Sequence, residues 1–230
     1  MKTAAIVAAA GAGLRMETAT RKQYLLLEGI PVLARSLNLF LEHPALTEVI
    51  AVIPPGEEEA VLELLQPYCP LDKLKFTGGG STRQESVSRG LDALSAEAEL
   101  VCIHDAARPL ASVGLLDNLL EAAALWGAAI PVIALSDTLK EVDRQGYVQS
   151  TPGREGLRLA QTPQVFRRDI IVQAYRQASQ NRVMATDDAS LVELFEKPVM
   201  TIPGEHINLK ITSSSDLIYA SLLLKGVGSR

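Results

Sequence analysis

The run "AAIVAAAGAG", residues 4–13, passes from an unbroken apolar stretch into a glycine pair, Gly11 and Gly13. An apolar run this short, closed by a small-residue turn, fits a strand buried on both faces. A turn of that kind presents backbone N–H groups to an anion. Two cations, Arg15 and Lys22, follow just beyond it. The familiar phosphate loops do not match: there is no Walker A lysine, and the third glycine of a dinucleotide fingerprint falls on Met16. Taken alone, the loop reads equally as a tight turn with two surface cations.

Working outward, strand-type runs at 4–9, 48–53, 73–76, 100–103 and 128–133 alternate with helix-period segments. The helical segments open after Pro31 with Val32, Leu33, Leu37, Phe40 and Leu41, and continue at 57–66, 82–94 and 112–126. Alternation of this kind predicts an α/β fold of Rossmann-like design: a mostly parallel sheet with helices on both faces. In such sheets ligands bind beyond the carboxyl ends of the strands. The pattern breaks over 134–163, where a turn at Asp143-Arg144-Gln145-Gly146 lies between β-compatible stretches. This predicts a projecting β-arm, and an isolated hairpin is marginal in water, so a second subunit is expected to pair with it. Helices near 168–180 and 187–196, a strand near 199–202 and a last strand at "INLKIT" follow. Ser213 to Ser215 offer N-caps for a closing helix with Asp216 in its first turn. One domain spanning 1–230 is expected.

Composition narrows the class. Of 230 residues 47% are hydrophobic and 21% charged, enough for a sizeable core and against disorder. A net charge of −5 argues against a nucleic-acid partner. No apolar run reaches the roughly 18 residues a membrane span needs. The first residues lack the core of a secretory signal, so a soluble, cytoplasmic protein is expected. Cys69 and Cys102 have no metal-ligand spacing.

Three loops fall at one predicted sheet edge. The first carries Arg15 and Lys22. The second, "TGGGSTRQESVSRG", offers Gly78, Gly79 and Gly80 for close approach to a flat ligand, with Ser81, Arg83 and Ser86 at a helix start. It also reads as a plain glycine turn capped by Ser81 or Thr82. The third, "VCIHDAARP", puts Asp105 at the end of a buried strand, where it suits a metal, a sugar hydroxyl, a helix cap or an ion pair with Arg108. Lone His104 reads as a packing residue. Together the loops suggest a nucleotide pocket with Asp105, Arg15 and Lys22 around the phosphates.

The motifs "AAAGAGLRM", "RKQY", "HDAARP", "DTLK", "TPQ", "TDDAS" and "NLKIT" occur in an order and spacing that resemble the 2-C-methyl-D-erythritol 4-phosphate cytidylyltransferases. The resemblance covers nearly the whole chain. One departure is Ala8 where the family's first loop commonly has proline.

The resemblance implies transfer of CMP from CTP to a sugar-alcohol phosphate, with release of pyrophosphate and with Mg²⁺ as cofactor. Arg15 and Lys22 would stabilise the transition state. Ala9, Ala10 and Gly11 would meet the triphosphate, Gly80, Ser81 and Ser86 the cytosine, and Asp105 and Ala106 the ribose and phosphates. Arg108, Thr138, Arg154, Thr162, Thr186 and Lys210 would position the acceptor. A homodimer through the β-arm would then share its sites, because Thr138, Arg154 and Thr162 fall in the arm. Plainer readings stand beside these: Lys210 as a strand-edge lysine, Arg154 as a solvated loop cation, Thr138 and Thr162 as β-arm threonines, and Thr186 as a helix N-cap. Ribitol 5-phosphate cytidylyltransferases share most of these motifs, and a non-catalytic nucleotide-binding module would lack the Arg15 and Lys22 pair. A Rossmann dehydrogenase fails on Met16.

Overall fold

The computed structural model describes residues 1–11 and 21–227. Gly13, Arg15 and Met16 lie outside them. The central sheet is built on β1 (Thr3–Ala8), flanked by β4 (Leu46–Ile53) and β6 (Leu100–Asp105), both parallel to it. Beyond β4 lies β5 (Leu74–Gly78), also parallel. Between β1 and β4 the chain makes a two-residue hairpin, β2 (Leu26–Leu27) and β3 (Ile30–Pro31).

The continuous apolar run of β1 is what a doubly covered strand requires. Ala5 and Val7 face one core, with Val49 and Ala51 of β4 and Cys102 of β6. Ala4 and Ile6 face the opposite core with Ile50, Val52 and Ile103. Helices α1 (Val32–Leu41), α2 (Glu58–Leu65) and α4 (Val113–Trp126) cover the first face. Helices α3 (Arg83–Ala93), α5 (Arg168–Asn181) and α6 (Asp188–Leu194) cover the second. Both cysteines are buried free thiols.

On its far side the sheet turns mixed. β7 (Ala128–Ala134) does not pair with β6 directly. A strand that the sequence reading did not separate, β11 (Gln164–Arg167), runs antiparallel between them. The excursion read as an arm over 134–163 divides in two. Strands β8 (Glu141–Val142) and β9 (Val148–Ser150) form the projecting hairpin, while β10 (Arg158–Ala160) rejoins the main sheet against β7. The hairpin turn is the expected one: the Gly146 N–H donates to the Asp143 carbonyl at 3.1 Å, and Gly146 has φ +92°.

The strand near 199–202 is present as β12 (Met200–Pro203), parallel to β7. "INLKIT" is not a strand. Its groups are engaged singly instead: the Asn208 side-chain amide donates to the Thr162 carbonyl, and the Ile211 N–H to the Ala107 carbonyl. Helix α7 (Ser214–Val227) closes the chain. Ser213 caps it by accepting from the Asp216 N–H, and the Asp216 carboxylate accepts back from the Ser213 N–H.

Candidate functional site

The carboxyl ends of β1, β5 and β6 open on one cavity of about 330 Å³. Its lining includes Ala9, Ala10, Gly11 and Lys22 from the first loop, and Gly80, Ser81, Arg83 and Ser86 from the second. Asp105, Ala106 and Lys210 also line it.

The first loop is held from beneath by Gln23. This buried side chain donates to the Ala9 carbonyl at 2.7 Å and to the Gly11 carbonyl at 3.3 Å. The short 3-10 turn Lys22–Tyr24 that carries it is tied down by Tyr24 and Arg21, both bonded to Glu57. Lys22 is thereby set at the cavity. The Ala9 N–H is spent on the Val52 carbonyl, whereas those of Ala10 and Gly11 have no partner among the described residues.

In the second loop Thr82, not Ser81, caps α3 by accepting from the Glu85 N–H. Glu85 in turn accepts from both the N–H and the hydroxyl of Ser81, each at 2.7 Å. The Ser86 hydroxyl accepts from the Gly80 N–H and donates to the Thr82 carbonyl. Gly79 packs where no Cβ fits. Ser81 and Ser86 thus hold the shape of the wall they line.

Asp105 is the electrostatic centre. Its ion pair is not with Arg108: Oδ1 accepts from Arg83 Nε at 2.8 Å, and Oδ2 lies 2.6 Å from Lys210 Nζ. Burial opposes its charge, but Arg83 and Lys210 outweigh that and hold the carboxyl well below the usual range. Arg83 turns its remaining nitrogens on the fully buried Asp188, Nη1 at 3.1 Å and Nη2 at 2.7 Å. The Tyr175 hydroxyl also donates to Asp188, at 2.6 Å. A row of alternating charge therefore runs Lys210, Asp105, Arg83, Asp188, with Tyr175 at its end.

Behind Asp105 lies a second relay. The His104 Nε2 faces the Arg108 carbonyl at 3.0 Å, and a carbonyl only accepts, so Nε2 carries the proton. Its Nδ1 then accepts from the Thr162 hydroxyl at 3.0 Å, and Thr162 Oγ1 accepts from the Asp105 N–H at 3.0 Å. Burial lowers the His104 pKa to about 4, keeping the ring neutral. It is a packing residue, with Phe40 set edge-on at 5.4 Å between centroids.

Of the other expected residues, Thr162, Arg108, Thr186, Thr138 and Arg154 are not in the cavity wall. Thr162 is buried within the body rather than on the arm. Arg108 donates to the Asn208 carbonyl at 2.8 Å. Thr186 is exposed beside Ser190, and the cap of α6 is Asp187. Thr138 lies exposed in the loop after β7, and Arg154 reaches back to the Ser136 carbonyl at 2.6 Å. Lys210 sits in an irregular segment, not on a strand edge. Arg15 lies outside the described residues.

Sequence reading did not assign the structural parts of Gln23, Arg83, Asp188 and Tyr175. Three of them stood in quoted motifs: Gln23 in "RKQY", Arg83 in "TGGGSTR" and Asp188 in "TDDAS". Among the described residues no group of three or more His, Cys, Asp or Glu could hold a metal.

Comparison with known proteins gives one answer at every level. The IspD family model, 2-C-methyl-D-erythritol 4-phosphate cytidylyltransferase, matches residues 3–226. The enzyme of that name from Pelotomaculum thermopropionicum is 45% identical over 97% of this chain and 94% of its own length. That from Geobacillus kaustophilus is 42% identical over 97% of each. The Thermus thermophilus crystal structure of the same enzyme superposes with a TM-score of 0.81 at 35% identity, covering 98% of this chain and 100% of that one. With its cavity at the expected sheet edge and its motifs matched from end to end, the chain belongs to the 2-C-methyl-D-erythritol 4-phosphate cytidylyltransferase family.

Proposed function

We infer that the chain transfers the cytidylyl group of CTP to 2-C-methyl-D-erythritol 4-phosphate. A phosphate oxygen of the acceptor attacks the α-phosphorus of CTP, and the bond to the departing pyrophosphate breaks. The attacking oxygen is ionised at neutral pH, so no general base is needed. What the protein must supply is position and positive charge. The observation that carries the reading is the cavity itself, where Lys22 and Lys210 border the Ala10 and Gly11 N–H groups, which have no partner among the described residues, at the carboxyl edge of the sheet.

Within this reading Lys22, with Arg15, stabilises the charge that grows at the α-phosphorus and on pyrophosphate. Ala10 and Gly11 offer the N–H groups for the triphosphate. Gly80, Ser81 and Ser86 form the wall against which the base lies. Lys210, its side chain 39% exposed, can turn from Asp105 to the acceptor's phosphate. Arg154 adds a planar fork for the same group. Thr138, Thr186 and Arg108 contact the polyol, with Thr162 holding Asp105 in place beneath it. Among the described residues the cavity offers one carboxylate, Asp105, which fits Mg²⁺ held chiefly by phosphate oxygens. The ion would offset the phosphates' negative charge.

The arm is proposed to pair with its copy in a homodimer: Val142, Tyr147 and Val148 are exposed on a hairpin that has little to pack on. No helix of the described residues is long and apolar enough to cross a membrane, in keeping with a cytoplasmic enzyme.

The test is pyrophosphate release with CTP, Mg²⁺ and either methylerythritol 4-phosphate or ribitol 5-phosphate. Turnover with the first alone, lowered on the order of 10²–10³ in Lys22→Ala, is expected. Turnover with ribitol phosphate alone would overturn the acceptor. Mixed Lys22→Ala and Arg154→Ala subunits should regain part of the activity if the arm completes its partner's site, and recovery would be nil if it does not.

A further inference from the structure

A second cavity, of about 440 Å³, lies in the groove between α3 and α5. Ser88 and Asp92 line it from α3, and Arg168, Tyr175, Arg176 and Ser179 from α5. The α5 residues are spaced to share one helix face, so their side chains converge on the groove.

The groove gathers two cations, Arg168 and Arg176, and one carboxylate, Asp92. Arg167 next door pairs with Asp169, but neither Arg168 nor Arg176 has an ion-pair partner among the described residues, although Asp92 shares the groove. Arg168 Nε is buried with no hydrogen-bond acceptor among the described residues. Buried donors in folded proteins are nearly always satisfied, by protein, water or a bound group. In a chain of net charge −5 this pair is not part of a general cation excess. Two guanidinium groups with serine hydroxyls beside them match phosphate oxygens in geometry and sign.

The groove also touches the row of charges behind the candidate site. The Tyr175 ring forms part of its wall, while the Tyr175 hydroxyl donates to Asp188. Asp188 grips Arg83, and Arg83 grips Asp105. A ligand that moves the ring therefore moves the hydrogen bond on which Asp188 rests.

We propose that the groove between α3 and α5 is a second binding site, for a small phosphorylated molecule, and that its occupancy is communicated to Asp105 through Tyr175, Asp188 and Arg83. The communication rests on the proposed function. The binding does not.

The probe is inorganic phosphate, titrated into the full chain by calorimetry. Binding should persist in Lys22→Ala and weaken at least tenfold in Arg176→Gln, an exposed position whose change leaves the fold intact by circular dichroism. Arg168→Gln should do the same. Equal affinity in wild type, Arg168→Gln and Arg176→Gln would overturn the site and leave a pair of solvated arginines. Communication is read from CTP affinity with and without phosphate. Direct competition in the first cavity is common to wild type and Arg176→Gln, so the difference between them belongs to the groove. Tyr175→Phe should bind phosphate normally and lose that difference, which for coupled sites is typically about fivefold or more. The same phosphate dependence in all three proteins would overturn the communication. Failure of wild type to bind CTP without phosphate would count against the proposed function and leave the groove untouched.

Discussion

A Cβ placed on Gly79 would lie 2.1 Å from the Cβ of Ala10 and 3.0 Å from the Ser86 hydroxyl. The first and second loops thus meet at a distance that only glycine allows. Arg89 clamps the contact by donating to the Gly79 carbonyl at 2.7 Å.

Gly79→Ala should therefore push the two loops apart and widen the cavity. Overpacking of this kind costs about 1–3 kcal/mol. CTP affinity is expected to fall at least tenfold, with a lower unfolding midpoint. Calorimetry showing unchanged CTP binding would mean that this contact does not set the width of the site.

Arg83 serves two carboxylates at once. Arg83→Lys keeps one charge but loses the fork, so Asp105 and Asp188 cannot both be held. We expect a fall in kcat/KM of about 10–100-fold in a folded protein. Arg83→Met leaves Asp188 buried without its cation, and removing one partner of a buried pair costs about 3–5 kcal/mol. Urea denaturation should rank wild type, Lys and Met in that order; equal stability of the last two would refute the account.

Thr162 is the joint of the relay behind Asp105. Thr162→Val leaves both the Asp105 N–H and the His104 Nδ1 without a partner, at a cost of about 1–3 kcal/mol for each stranded group. Thr162→Ser keeps the hydroxyl and should recover most of that loss. The serine variant matching valine in a thermal melt would show that the methyl group, not the hydroxyl, matters.

His104 predicts a dependence on pH. Folded, burial lowers its pKa to about 4; unfolded, it protonates near the ordinary histidine value of 6.5. Between those values the unfolded chain binds more protons, so stability is full above about pH 6.5 and drains away as pH falls toward 4. The whole loss is about 3 kcal/mol. Asp105, held below the usual carboxylate range, adds its own loss at lower pH. In His104→Gln the urea midpoint should depend less on pH across that window; an unchanged slope would remove His104 as its source.

The parallel half of the sheet could be read from the sequence because its signals are local. Ala4 to Ala8, and Leu100 onward, are apolar runs bounded by turns, and the helices that follow announce their period. β11 was hidden because Gln164–Arg167 is four residues wedged between the arm and α5, defined only by its distant partners β6 and β7. "INLKIT" misled for the opposite reason. Ile207, Leu209 and Ile211 alternate like a strand, yet this segment is spent in holding Asn208 against Thr162 and Ile211 against Ala107. The same limit applies to the site. The cavity's three loops were legible, but Arg83 and Asp188 are 105 residues apart, and nothing local in either motif names the other.

Arg158 stands opposite Ala134 in the antiparallel register of β10 on β7. The chain leaves the body and returns to it at one point, so residues 135–157 form a closed detour. Lengthening, shortening or exchanging that detour leaves every strand of the main sheet with its neighbours. Selection can then rewrite the contacts this segment makes, those of Thr138 and Arg154 included, while the sheet that carries Asp105 is inherited unchanged.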